Sequence, residues 1–180
     1  LLVKPVTDTT TVSRVQNAQG VAVVNGDTTS PNLITNSSFE TQGTTGWSAH
    51  GGAAAPTQTV SVHYDNDGAL AVATTGTNHG ARYNFALAAS TQYSLSFFVR
   101  ASGSSFSTLQ IGYSSDGTTD TSCATAQTVE LNNWKRISCT FTTGAVSGTR
   151  YVYVKQTDAT SRTWYIDAVQ LETAAPTADH

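Results

Sequence analysis

Several things are scarce in these 180 residues: there is no methionine, charged side chains make up only 12%, and the chain has two cysteines and four prolines. Nine Lys and Arg against twelve Asp and Glu leave a net charge of -3. With no basic patch to follow a phosphate backbone or an anionic bilayer, nucleic acid is excluded as a partner. No apolar run approaches the roughly 20 residues a membrane-crossing helix needs, so membrane insertion is not expected. Catalytic signatures are missing too. There is no HExxH, no GxSxG and no glycine-rich phosphate loop, and the carboxylates are too scattered to nominate a glycosidase pair. His50, His63 and His79 have no nucleophile beside them in sequence, so the chain reads as noncatalytic. Beginning at Leu1 without a methionine, it also reads as a piece of a longer protein.

Ser and Thr, by contrast, supply more than a quarter of the residues, and 38% are hydrophobic, enough for one core beneath a polar, weakly charged surface. No segment keeps a 3.6-residue apolar period over helical length. Short β-prone runs recur instead between turns: 57–64, 69–74, 81–87, 91–100, 106–114, a pair around residue 131, 150–156 and 163–171. That many short strands with regular turns predict an all-β, antiparallel sandwich or barrel. The organisation expected is an N-terminal β-hairpin segment over 1–30, a main module over 31–172 and a linker tail over 173–180. In the first segment, 10–17 and 21–25 are the hairpin strands, joined by NAQG.

Cys123 and Cys139 flank TAQTVELNNW, which reads as a hairpin centred near Leu131, with the two thiols at directly paired positions. Two outcomes fit: a cross-strand disulfide, worth about 3 kcal/mol for a loop of this length, or two buried free thiols. Zinc has no CxxC or paired His to support it. The disulfide is the expectation, and with it an extracellular or cell-surface setting.

Strand parity assigns faces. Over 91–100, Tyr93, Leu95, Phe97 and Val99 point to the core, leaving Phe98 and Arg100 outside. Val152 and Val154 inward turn Tyr151, Tyr153 and Lys155 outward. Tyr83 and Phe85 inward leave Arg82 and Asn84 outside, and Leu109, Ile111 and Tyr113 inward leave Gln110 outside. Arg82, Asn84, Phe98, Arg100, Gln110, Tyr151 and Tyr153 therefore form the candidate ligand-binding set. Flat rings cover the C–H face of a pyranose, while amides and guanidinium groups bond its hydroxyls. The plainer alternative is that these aromatics only cover the sheet.

In order and spacing, NLITNSSFE…GW, LAASTQYSLSFFVRAS, NNWKRISCTFT and WYIDAVQLE resemble the carbohydrate-binding modules of families 4 and 9, which are galactose-binding-like jelly rolls. The resemblance implies a jelly roll over 31–172 that binds carbohydrate, with 31–47 as its first strand. It also implies Trp47 and Trp134 packed at the sandwich ends, and a structural calcium joining first strand to last through Glu40 and Asp167. Here Ala168 replaces the family's second acidic residue. The N-terminal VQNAQG segment is similar to short hairpin repeats of bacterial surface and phage tail-fibre proteins. The alternative function is therefore a structural jelly-roll subunit of a surface fibre, adhesin or tail, with other copies of itself or neighbouring domains as partners. Asn36-Ser37-Ser38 matches a glycosylation acceptor.

Overall fold

The computed structural model describes residues 2–4, 11–16, 22–27, 31–40 and 43–173, the first three stretches as backbone only. Its strands are β1 (Leu2–Lys4), β2 (Thr11–Gln16), β3 (Ala22–Asp27), β4 (Trp47–His50), β5 (Thr57–Thr59), β6 (Ala69–Thr74), β7 (Gly80–Asn84), β8 (Gln92–Ala101), β9 (Phe106–Ser114), β10 (Thr121–Val129), β11 (Lys135–Thr142), β12 (Tyr151–Gln156) and β13 (Arg162–Thr173). Two five-stranded antiparallel sheets face each other: a front sheet ordered β10-β9-β12-β7-β4 and a back sheet ordered β11-β8-β13-β6-β5. β1, β2 and β3 form a separate antiparallel sheet, so the expected hairpin of 1–30 carries a third strand, and β3 runs on through Gly26 and Asp27. The NAQG turn and residues 174–180 of the expected tail lie outside the described residues. Among the described residues no helix is long and apolar enough to cross a membrane.

The core fills the space between the sheets. Alternation within β8 sends Tyr93, Leu95, Phe97 and Val99 inward, and β12 adds Val152 and Val154 from the facing sheet. Trp164 of β13 is fully buried in the same cluster, as is Ile166. Trp47 is buried between Phe39 and Tyr83, its ring 5.6 and 5.4 Å from theirs. Trp134 departs from expectation. It is only half-buried and meets Tyr64 at 6.0 Å rather than packing into the core.

Three other expectations change. Residues 31–46 form no strand, although they follow β13: Asn32 bonds the backbone at Val169 and Leu171, while Leu33 N–H reaches Leu171 O at 2.7 Å. The run 57–64 is a strand only through Thr59, after which the chain bends and Tyr64 and Asp65 donate their N–H groups to Asp167. The cysteines do form a disulfide, but not across a hairpin, because β10 and β11 are the outer strands of different sheets. The bridge thus ties front to back along one open side of the sandwich. Asn36 is buried, its amide bonded to Gly43 O and Thr45 O, so the acceptor sequence there serves packing.

Candidate functional site

The front sheet's outer face gathers a polar cluster over two tyrosines. Register places Tyr151 opposite Asn84 and Tyr153 opposite Arg82 on one side, with Tyr153 opposite Gly112 on the other. Two glycines make the packing possible. A Cβ at Gly112 would lie 2.7 Å from Tyr153 Oη, and one at Gly80 would lie 2.9 Å from Lys155 Cβ. The cleared space lets the His50 ring stack on Tyr153 at 5.1 Å and 6°. Lys155 Nζ sits 4.9 Å from the same ring, and the Arg82 guanidinium lies 5.0 Å from the ring of Tyr151.

Asp120, in the loop before β10, joins these groups. Its Oδ2 accepts from Lys155 Nζ at 2.7 Å and lies 2.9 Å from His50 Nε2; Oδ1 accepts from Tyr151 Oη at 2.8 Å. Burial works to raise the Asp120 carboxyl, but the bonds from Lys155 and Tyr151 and the nearby positive charge outweigh it and hold it below its ordinary range. His50 moves down, because burial disfavours its cation more than Asp120 stabilises it. Tyr151 and Tyr153 are both pushed up, burial first and the Asp120 charge second in kind. This makes the face a fixed array of donors and acceptors. An open groove of about 230 Å³, lined by Asn84, Phe85, Ala86, Gly148, Thr149 and Arg150, begins where β7 and β12 end.

The sequence-predicted set divides between the two sheets. Arg82, Asn84, Gln110, Tyr151 and Tyr153 share the front outer face, while Phe98 and Arg100 project from β8 on the back. The rings expected to be exposed are covered: Tyr151 is 3% and Tyr153 2% exposed. On the back, Phe98 lies beneath Tyr64, and Arg100 Nη2 donates to Asn132 Oδ1 at 2.8 Å. His50, Asp120, Tyr64 and Trp134 were absent from that set. Asp120 had a signal, since an outward lysine between buried strand residues needs a carboxylate partner.

Glu40 and Asp167 meet under the 60–68 loop. Asp167 is fully buried and accepts the N–H groups of Tyr64, Asp65 and Ala168, while Glu40 accepts those of Asp67 and Gly68. Burial raises Asp167 above its ordinary value, only partly offset by these bonds, and the Glu40 charge adds to the rise. No Lys or Arg pairs with either among the described residues. No group of three or more His, Cys, Asp and Glu suited to a metal occurs among them either.

Comparison with known proteins gives a family. The model for a carbohydrate binding domain of the 4/9 type matches residues 31–161. A search of the curated proteins found no match. Among solved structures, the fold is similar to the CBM22-1 xylan-binding domain from Paenibacillus barcinonensis, with a TM-score of 0.67 at 18% identity over 81% of this chain and 97% of that one. It is also similar to a C-terminal family 22 carbohydrate binding module of Clostridium thermocellum, with a TM-score of 0.61 at 22% identity over 79% and 94%. A third is the family 61 module TmCBM61 in complex with β-1,4-galactotriose, with a TM-score of 0.52 at 16% identity over 80% and 99%. Identities this low speak for the jelly-roll fold alone, whereas the family model covers most of the chain: it belongs to the carbohydrate-binding domain family.

Proposed function

We propose that this noncatalytic module holds a glycan chain against the front sheet's outer face. Arg82, Asn84, Gln110, Asp120 and Lys155 exchange hydrogen bonds with sugar hydroxyls there, and the groove beside Arg150 receives one end of the chain. The observation that carries this reading is the concentration of fixed donors and acceptors on one face, held over rigid tyrosine rings and continuous with an open groove. Tyr151 and Tyr153 serve as its buried floor. Xylan and β-1,4-linked galactan, the glycans bound by proteins of similar fold, are the first to test. Affinity electrophoresis against a panel of soluble polysaccharides should retard the wild-type chain on at least one. Arg82→Ala with Asn84→Ala should reverse that without lowering the melting temperature. Retardation by none, or retardation indifferent to these substitutions, would overturn the assignment.

The disulfide and the Ser/Thr-rich, weakly charged surface support an extracellular or cell-surface parent protein, with any catalysis in a separate domain of it. Calcium at Glu40 and Asp167 belongs to the same proposal. Two carboxylates within electrostatic reach, with no cationic side chain paired to them, are the oxygen-only chemistry that a hard divalent ion takes, and the ion would offset their repulsion. Glu40 and Asp167 would hold it, joining the 31–46 segment to β13. Calcium should raise the melting temperature and a chelator lower it, with no response in Asp167→Asn. An unchanged melting temperature in all three would remove calcium from the account.

The separate β1-β2-β3 sheet favours a second reading, in which the module is a structural subunit of a surface fibre or tail. Its strands are only 3 to 6 residues long, and so small a sheet needs packing against something else. Light scattering with and without residues 1–30 tests this. Assembly lost with the segment supports it, and a monomer in both cases removes it.

A further inference from the structure

The back sheet carries an aromatic platform that the front-face reading leaves unused. Tyr64 stacks on Phe98 of β8 with centroids 3.6 Å apart and planes within 13°. Although one of its faces is covered in this way, 48% of Tyr64 is exposed, so the opposite face and rim look outward. Trp134 stands beside it, ring centroid at 6.0 Å and inclined by 67°, giving the platform a wall. Arg136 reaches over the Phe98 ring from β11, and Arg100 lies two residues along β8, its Nη2 on Asn132. Arg100 Nε is buried without a hydrogen-bond partner.

The Tyr64 loop is also held firmly. Asp167 faces outward from β13, opposite Phe98, and its buried carboxylate fixes the N–H groups of Tyr64 and Asp65 at 2.7 and 2.9 Å. Burying a carboxylate costs stability unless its bonds offset the lost hydration. Here those bonds position a loop whose outermost ring faces solvent. A ring ordered in advance loses little conformational entropy on binding, which favours a ligand with a flat, weakly polar face.

We propose that Tyr64, backed by Phe98 and walled by Trp134, is a second sugar-stacking site, with Arg100 and Arg136 bonding hydroxyls of the pyranose seated on it. A flat apolar ring beside guanidinium donors, with no aligned groove for a peptide strand or helix, suits a single residue of a polysaccharide. This inference rests on the family's carbohydrate binding but not on the front sheet as its site. The module would then touch its glycan on both outer faces, and the platform would add avidity on insoluble or branched polymers.

The test uses the full chain and the same polysaccharide panel, with four proteins: wild type, Tyr64→Ala, Tyr64→Phe, and Arg82→Ala with Asn84→Ala. Affinity is read by electrophoresis on soluble polymer and pull-down on its insoluble form, and Trp134 by the indole N–H signal in NMR. Tyr64→Ala should weaken binding to insoluble polymer by about tenfold and remove the ligand-induced shift of the Trp134 indole. Tyr64→Phe, which keeps the ring, should retain both. If Tyr64→Ala binds like wild type and the indole never moves, the platform is overturned, and a loss confined to the front-face variant then leaves the front reading standing. If Tyr64→Ala loses binding while the front-face variant does not, the platform holds and the front reading fails. Equal melting temperatures for Tyr64→Ala and Tyr64→Phe separate lost contact from lost folding.

Discussion

On the front sheet, Tyr153 is 2% exposed beneath His50 and Lys155; on the back sheet, Tyr64 lies above Phe98 with 48% of its surface open. Both sheets place aromatics outside the core, yet the layers are stacked in opposite order. In front, charge lies over rings, and the surface a ligand meets is a set of donors and acceptors. Behind, a ring lies over a ring, and the surface is flat and apolar. Outward parity in a strand thus settles which side of a sheet a residue occupies. It does not settle whether the residue is the outermost atom on that side.

Removing the carboxylate at the centre of the front network should have the largest effect. Asp120→Ala strands the buried Lys155 ammonium and the Tyr151 hydroxyl, so urea unfolding should show a loss of roughly 3–5 kcal/mol. If that substitution costs no more than Tyr64→Ala, the contrast between a built-in front network and a surface ring is wrong. Breaking the link between the sheets comes next. Cys123→Ser with Cys139→Ser should cost about 3 kcal/mol for the 16-residue separation, with the binding of refolded protein unchanged, since neither thiol lies on an outer face.

Acid sharpens the comparison further. His50 is held below its ordinary 6.5, so the folded state binds its proton less readily than the unfolded chain. The stability this contributes is complete above about 6.5 and is lost as the pH falls through the lowered value. Asp120 acts in the same direction below its ordinary 3.8, where protonation releases Lys155. Asp167 acts in reverse: raised in the fold, it favours the folded state increasingly as the pH falls through its raised value. Melting temperatures between pH 7 and 5 should therefore fall for the wild type and fall less for His50→Gln; identical slopes would mean that His50 is not the group being titrated. The smallest expected change is in Tyr64→Ala, within about 1.5 kcal/mol of wild type, because only one ring stack is lost.

How far the sequence carried this picture depended on range. β8, β9 and β12 were legible because alternating apolar residues fit one buried face, and Phe97, Leu109, Ile111, Val152 and Val154 are all in the core. The loop at 60–67 was not, because TVSVHY alternates like a strand, while a carboxylate about a hundred residues later in the chain bends it. Neither was the covering of Tyr151 and Tyr153. Asp120 and His50 reach them from a loop and a strand far away in sequence, through space that Gly80 and Gly112 leave clear. Cys123 and Cys139 read as a ladder pair because the ten residues between them look like a hairpin. Their strands join opposite sheets instead.

The most direct test of the central claim, that the front outer face reads the glycan, is amide chemical-shift mapping of the 15N-labelled chain with oligosaccharides of whichever polysaccharide retards it. The account predicts the largest shifts at 48–50, 80–84, 110–112 and 150–155, with Asp120 among them. Large shifts confined to the interior strands' ends or to residues 1–30, with those front-face amides unmoved at saturating ligand, would contradict it.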